Sequence, residues 1–314
     1  MILEMAAKHR ALFNYKPTTE QNKTMKTLSN RGSGKAVPIV IAVLALALHT
    51  VVWQSQAQVV QLTDLNSTAI VDTGSQAGMF HWDVQGQNQL HQQWFWYGVG
   101  NGAVRSIDTI SAPIDTQLSP SDLTSTYVNP GNYSVSVHYT LTGGSTVAPG
   151  QFASSDIGEA IRIQNLSGVL LPFHFYQYSY FNLNGNNNDV VELFTQHGLY
   201  NDAYQTDGAS GLQETVATPG ANHGEVAPLG GTLAKLNSGG PVTLGPPFGA
   251  GPVGPGEVTW ALEWDMTLAP GATLLISKDK QFSVEITSVP EPSALALLGL
   301  GGAALALFKR RAKA

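Results

Sequence analysis

The chain has 314 residues, no cysteine, 33 glycines, 17 prolines and only 12% charged side chains, which excludes a disulfide-stapled scaffold and a coiled coil. Eleven of its 16 basic residues lie in the first 57 and last six positions, so Gln58 to Pro292 carries five basic against 20 acidic side chains, a formal charge of −15. A surface of that sign repels nucleic acid and anionic headgroups and argues against both as partners of the central domain.

The first recognisable element is an uncharged apolar run from Ala36 to Trp53. Lys26, Arg31 and Lys35 precede it and the polar Gln54-Ser55-Gln56-Ala57 follows it. That order is the one a secretory signal peptide needs. Ser55 and Ala57 fill the two small positions a signal peptidase reads, which puts cleavage after Ala57; an uncleaved anchor is the alternative that the length permits. Met25-Lys26-Thr27 opens a conventional basic region, so residues 1–24 look superfluous and Met25 is the expected start.

Beyond the signal, Ala69-Ile70-Val71-Asp72-Thr73-Gly74-Ser75 resembles the active-site turn of aspartic proteases. Those sites need two carboxylates sharing a proton. Here the nearest second copy, Asp207-Gly208-Ala209, lacks the hydroxyl residue. A plain Asp-Thr-Gly turn is therefore the favoured reading, and a hydrolase acting through Asp72 is the alternative. Next comes Trp94-Phe95-Trp96-Tyr97 within a predicted strand, Gln92 to Val99. Neighbours on a strand point to opposite sides, so two of these aromatics should lie outside the core. If they are bare, Trp94 and Trp96 are candidate sugar-stacking residues; the favoured alternative is a covering loop.

Strict alternation marks Ser134 to Leu141, with Val135, Val137, Tyr139 and Leu141 on one face. Further strands are expected at Ala160 to Asn165, Leu171 to Leu183 and Val190 to Phe194. His174, between Phe173 and Phe175, reads as a sheet residue rather than a ligand. The Asn-rich stretch Asn182 to Asp189 reads as a hairpin loop. Gly239 to Gly256 holds seven glycines and five prolines and is expected to be a loop with almost nothing to pack. Thr259 to Leu268 alternates again, with Glu263 and Asp265 sharing the face opposite Trp260, Leu262 and Trp264. That pair is close enough for a glycosidase-like or calcium site, although a solvated face is the favoured reading. After the turn Ala269-Pro270-Gly271 the pattern predicts one strand through Leu274 and Ile276, a polar break at Lys278-Asp279-Lys280, and a last strand through Phe282, Val284 and Ile286. Together these read as a closing antiparallel meander.

The chain ends with Pro290-Glu291-Pro292, fifteen uncharged residues from Ala294 to Phe308, and the basic Lys309-Arg310-Arg311-Ala312-Lys313-Ala314. Fifteen helical residues rise about 22 Å against a hydrocarbon core of about 30 Å, so spanning needs snorkelling lysines and arginines or a thinned bilayer. This three-part tail resembles the PEP-CTERM sorting signal of Gram-negative bacteria. The resemblance implies recognition of Pro290, Glu291 and Pro292, together with the basic Lys309, Arg310 and Arg311, by an exosortase, transient anchoring in the membrane, and release to the envelope surface or an extracellular polysaccharide matrix. In the middle of the chain, Gly78-Met79-Phe80-His81-Trp82, the Gln93-to-Tyr97 cluster, Ser155-Asp156-Ile157-Gly158-Glu159 and the Trp260-to-Ser277 segment resemble a group of exported PEP-CTERM proteins without an assigned activity.

The expected architecture is all-β: an antiparallel β-sandwich of jelly-roll or immunoglobulin-like size over 58–288. A signal helix within 1–57 and a transmembrane helix within 289–314 are expected to flank it. No metal-binding histidine spacing, nucleophile elbow or nucleotide fingerprint occurs. No cofactor is therefore expected, calcium being the one candidate, because so acidic a domain meets acidic polysaccharide through divalent cations. The expected role is structural or adhesive, with polysaccharide as partner and with signal peptidase and exosortase acting during maturation.

Overall fold

The computed structural model describes residues 58–245 and 250–286. The expected signal helix, the cleavage site at Ala57 and the sorting tail with its transmembrane helix lie outside the described residues. Eighteen strands account for most of what is described: β1 (Val59–Asp64), β2 (Ser67–Asp72), β3 (Gly78–Val84), β4 (Gln87–Asn88), β5 (Leu90–Val99), β6 (Arg105–Ser106), β7 (Ile114–Ser119), β8 (Asp122–Asn129) and β9 (Tyr133–Gly143), followed by β10 (Phe152–Asn165), β11 (Leu171–Phe181), β12 (Asp189–Gln196), β13 (Leu199–Thr206), β14 (Gly211–Thr218), β15 (His223–Pro228), β16 (Val253–Gly256), β17 (Val258–Leu268) and β18 (Thr273–Glu285). A six-residue helix, α1 (Gly231–Leu236), follows β15. Among the described residues no helix is long and apolar enough to cross a membrane.

Two sheets form the predicted sandwich. The first runs β1-β2-β3-β5-β11-β17-β15, with β4 and β6 paired at its sides, and the second runs β16-β12-β13-β14-β18-β10-β9-β8-β7. Pairing is antiparallel except for the short parallel contact of β3 with β5. Gly78 makes that contact feasible: it sits at φ +59, and a Cβ there would lie 2.5 Å from the Trp94 ring. Aromatic side chains fill the space between the sheets. Trp82 and Phe282 meet edge-on at 4.4 Å, Phe181 stacks on Trp260 at 5.1 Å, and Phe95 stacks on Phe175 at 5.4 Å. The Trp82 indole N–H also donates to Ser155 Oγ on β10 at 2.9 Å, which ties the polar edge of that ring to the opposite sheet.

The closing meander is corrected. β17 belongs to the first sheet and β18 to the second, so they are not neighbours, and Lys278-Asp279-Lys280 is the middle of one continuous strand. Leu274, Ile276, Lys278, Lys280, Phe282 and Val284 all fall on one face, and both lysines are buried. They meet Glu159 and Glu214 there. Lys278 pairs with Glu159 and lies 3.6 Å from Glu214, while Lys280 lies 2.7 Å from Glu159 and 3.6 Å from Glu214. Gln177 of the facing sheet donates to Glu214 at 2.7 Å, and the Lys278 ammonium sits 5.2 Å from the centre of the Phe95 ring. Burial works against the charge on Glu159, but the two lysines outweigh it and hold that carboxyl below its ordinary range.

A second correction concerns the outer face of the first sheet. From Val258 to Trp264 every residue of β17 is buried, so this strand has two covered faces instead of one. The cover is the segment 229–245. Leu236, Val242 and Leu244 are buried in it. The Trp96 indole N–H donates to Asn237 Oδ1 at 3.1 Å, and the Tyr176 hydroxyl donates to Val242 O at 2.7 Å. Glu225 anchors the same segment by pairing with Lys235 and by accepting from the Thr232 hydroxyl at 2.7 Å and the Gly245 N–H at 3.2 Å. The Gly/Pro-rich stretch is thus packed at its start and paired as β16 at its end.

Candidate functional site

Trp94 and Trp96, the candidate sugar-stacking residues for which a covering loop was the favoured alternative, are not presented to solvent. Both indoles are buried, as are Phe95 and Tyr97. Phe95 and Tyr97 point between the sheets, toward Lys278 and Tyr133. Trp96 lies under Asn237. Trp94 is closed off by the Tyr127 ring and by Ser106, whose hydroxyl accepts the indole N–H at 2.8 Å. Asp72 is engaged by its own turn: Gly74 N–H donates to one carboxylate oxygen at 3.0 Å and the Ser75 hydroxyl to the other at 2.6 Å. Asp207 likewise accepts from the N–H groups of Ala209 and Ser210 and from the amides of Asn184 and Asn186. Neither carboxylate bonds the other, and the hydrogen bonds describe two turns. The Asn-rich loop is tied internally in the same way, Asn182 bonding Asn187.

What the fold does bring together lies on the outer face of the first sheet, beside the edge of the covering segment. β11, β17 and β15 are adjacent there, in a register that places His174 opposite Asp265 and His223 opposite Glu263. Directly opposed residues share a face, and Glu263 and Asp265, two apart, share it too. His174 Nδ1 bonds Asp265 Oδ1, and His223 Nε2 lies 3.1 Å from Asp265 Oδ2. His174 Nδ1 is 4.0 Å from Glu263 Oε1. The side chains of His174, Asp265 and His223 are 32%, 33% and 40% exposed, whereas that of Glu263 is 1% exposed. Ligand atoms of His174, Glu263 and Asp265 lie within 4.8 Å of one another, the one such group among the described residues.

Electrostatically the cluster is unbalanced. Among the described residues no lysine or arginine pairs with either carboxylate. Burial pushes the Glu263 carboxyl up to about 7; the Leu244 N–H, donating to Oε2 at 2.6 Å, opposes that rise, and the Asp265 charge adds to it. Glu263 Oε1 is buried and meets no donor at hydrogen-bond geometry; the nearby Tyr176 hydroxyl is directed to Val242 O, but its proximity also lowers the Glu263 carboxyl. A half-protonated carboxyl beside imidazoles can exchange a proton near neutral pH or accept a cation. The solvated face expected for Glu263 is therefore corrected: only Asp265 of the pair meets water. His174 is hydrogen-bonded on the sheet as expected, but it also reaches toward Glu263. His223 is a partner that sequence reading missed, and no local pattern marked it.

Residues 288–311 match the PEP-CTERM protein-sorting motif. No curated protein matches the chain. Among solved structures, a bacterial glucoamylase complexed with acarbose is similar at 9% identity and a TM-score of 0.51, covering 77% of this chain and 34% of that one. A galactose mutarotase-like protein from Lactobacillus casei aligns at 8% identity and 0.48, covering 72% of this chain and 100% of its own. A putative aldose 1-epimerase from Escherichia coli K12 aligns at 10% identity and 0.45, covering 72% and 98%. The glucoamylase likeness shows a shared β-sandwich fold, with the present chain spanning about a third of the length of that enzyme.

Proposed function

The chain is a PEP-CTERM-domain protein, a motif that implies export and sorting to the cell envelope, and on that premise we propose that its sandwich is a surface or matrix protein with a structural or adhesive, carbohydrate-binding role. The observation that carries this reading is position. The motif begins at residue 288, two residues after the last described residue of the sandwich, Ile286, so the sorting signal follows the folded cargo directly. In this proposal the producer is a Gram-negative bacterium. Signal peptidase cuts after Ala57, the tail holds the protein in the membrane, and an exosortase then removes it. Two prolines fix φ and remove two backbone donors, which keeps Pro290-Glu291-Pro292 extended and out of any helix, as a protease that reads an extended strand requires. Replacing all three with Ala is expected to leave the tail attached, visible as a heavier species retained in the membrane fraction; unchanged processing overturns the proposal.

The carbohydrate part of the reading is supported by the fold shared with a glucoamylase that was solved with acarbose. In place of the covered indoles, we assign the contact to the half-exposed His174, His223 and Asp265, whose planar polar groups suit sugar hydroxyls. The native protein should be retarded in gels containing the extracellular polysaccharide of its own host, and Asp265→Asn should weaken that retardation. Equal mobility over a broad glycan panel refutes sugar binding.

A further inference from the structure

We propose that His174, Glu263 and Asp265 bind one first-row divalent transition metal of the zinc class, with His223 orienting Asp265 from outside the coordination sphere. The donor set is the first reason. One imidazole nitrogen and two carboxylate oxygens on neighbouring strands of one sheet converge to within 4.8 Å; bonds of about 2.0–2.2 Å need a tetrahedral spacing of about 3.5 Å, so small side-chain rotations that replace the direct His174–Asp265 bond bring the three onto one ion. Mixed nitrogen and oxygen donors suit zinc, cobalt or nickel. Calcium and magnesium favour all-oxygen shells completed by water, in which an imidazole nitrogen has no place.

The second reason is independent of composition. Glu263 Oε2 is held by the Leu244 N–H, while the buried Oε1 has no hydrogen-bond donor. The neighbouring Tyr176 hydroxyl is directed to Val242 O. A buried carboxylate oxygen left without a partner is costly unless a proton or a cation meets it. Here it faces His174 Nδ1 at a distance that is too long for a hydrogen bond, 4.0 Å, but open enough for an ion between them. The arrangement beyond the ligands also fits. His223 holds the second oxygen of Asp265 at 3.1 Å, which orients the carboxylate, while the Asp265 backbone N–H donates to Asn222 Oδ1 at 2.8 Å and fixes the main chain beneath it. With His174, Asp265 and His223 each about one-third exposed or more, an ion can enter from solvent.

The inference uses the same face as the sugar reading but does not need it, because metal uptake is measured with no glycan present. Purified protein stripped with EDTA is titrated with Zn²⁺, Co²⁺, Ca²⁺ and Mg²⁺ by calorimetry and thermal melting. One equivalent of Zn²⁺ or Co²⁺ is expected, with a rise in Tm that Ca²⁺ and Mg²⁺ do not give. Glu263→Gln keeps the side-chain shape and the acceptor for Leu244. It should nevertheless lose most of the affinity, as should Asp265→Asn. His223→Ala, at a half-exposed position that leaves folding intact, should weaken binding about 10- to 100-fold. A wild-type protein that takes up no stoichiometric Zn²⁺ overturns the proposal, and so does uptake that Glu263→Gln and Asp265→Asn leave unchanged.

Discussion

Two groups of ionisable side chains in this sandwich have the same inventory of carboxylates and opposite characters. Between the sheets, Glu159 and Glu214 face Lys278 and Lys280; on the outer face, Glu263 and Asp265 face His174 and His223. The inner quartet is sealed and electrically closed, because lysine keeps its proton when two carboxylates surround it. Burial lowers Lys278 to about 8 while the glutamates oppose that fall, and they raise Lys280 despite its burial. The outer group is open. Among the described residues no lysine or arginine balances Glu263 and Asp265, which meet imidazoles instead. The choice of base, lysine or histidine, separates an ionic group that serves packing from one that has capacity left for a ligand.

The largest effect that could break this contrast is the loss of one inner cation. Lys278→Met would leave Glu159 and Glu214 facing Lys280 alone, an uncompensated buried charge of the kind that costs about 3–5 kcal/mol. Denaturant unfolding at pH 7 should show that loss. A loss under about 1 kcal/mol would mean that water or protonation relieves the quartet, and that it is no more closed than the outer group.

The same contrast explains what the sequence made legible. Alternation located β9 and β17 to within one or two residues and identified the fold as a sandwich, because the period-2 signal is a property of each strand alone. It was also present through β18, where Leu274, Ile276, Lys278, Lys280, Phe282 and Val284 keep one face. The two lysines read as a polar break because a buried lysine needs partners, and those partners, Glu159 and Glu214, lie on β10 and β14. A covering loop over Trp96 was the favoured expectation, but the segment that supplies it, and its reach over Glu263, was not legible for a related reason. Its packing depends on a few residues, Leu236, Val242 and Leu244, in a segment dominated by glycine and proline. Half of the outer cluster could be seen, since Glu263 and Asp265 are two apart on one strand. His174 and His223 joined them through the β11–β17 and β15–β17 registers, which no local pattern encodes.

A smaller effect isolates what burial does to a carboxyl that has neither lysine nor imidazole beside it. Asp189 is buried, and its Oδ2 accepts from the Leu183 N–H at 3.1 Å and the Gln205 amide at 2.8 Å. Its Oδ1 accepts nothing, as with Glu263 Oε1, and it has no ion-pair partner among the described residues. Burial raises its carboxyl to about 6, against the lowering by those two donors, and the charge of Asp207 adds to the rise. The native state therefore holds this proton more tightly than the unfolded chain, whose value is near 3.8. The resulting stabilisation is complete below about pH 4 and is lost as pH climbs to about 6, a change of about 3 kcal/mol. Asp189→Asn cannot titrate. The stability difference between variant and parent, followed by urea unfolding from pH 3 to pH 8, should shift in favour of the variant by that amount between pH 4 and 6 and then stay level. A flat difference would show that Asp189 is solvated in the native state. An unpartnered oxygen would then not be a sign of desolvation in this fold, and the open oxygen of Glu263 would lose its meaning as a mark of capacity left for a ligand.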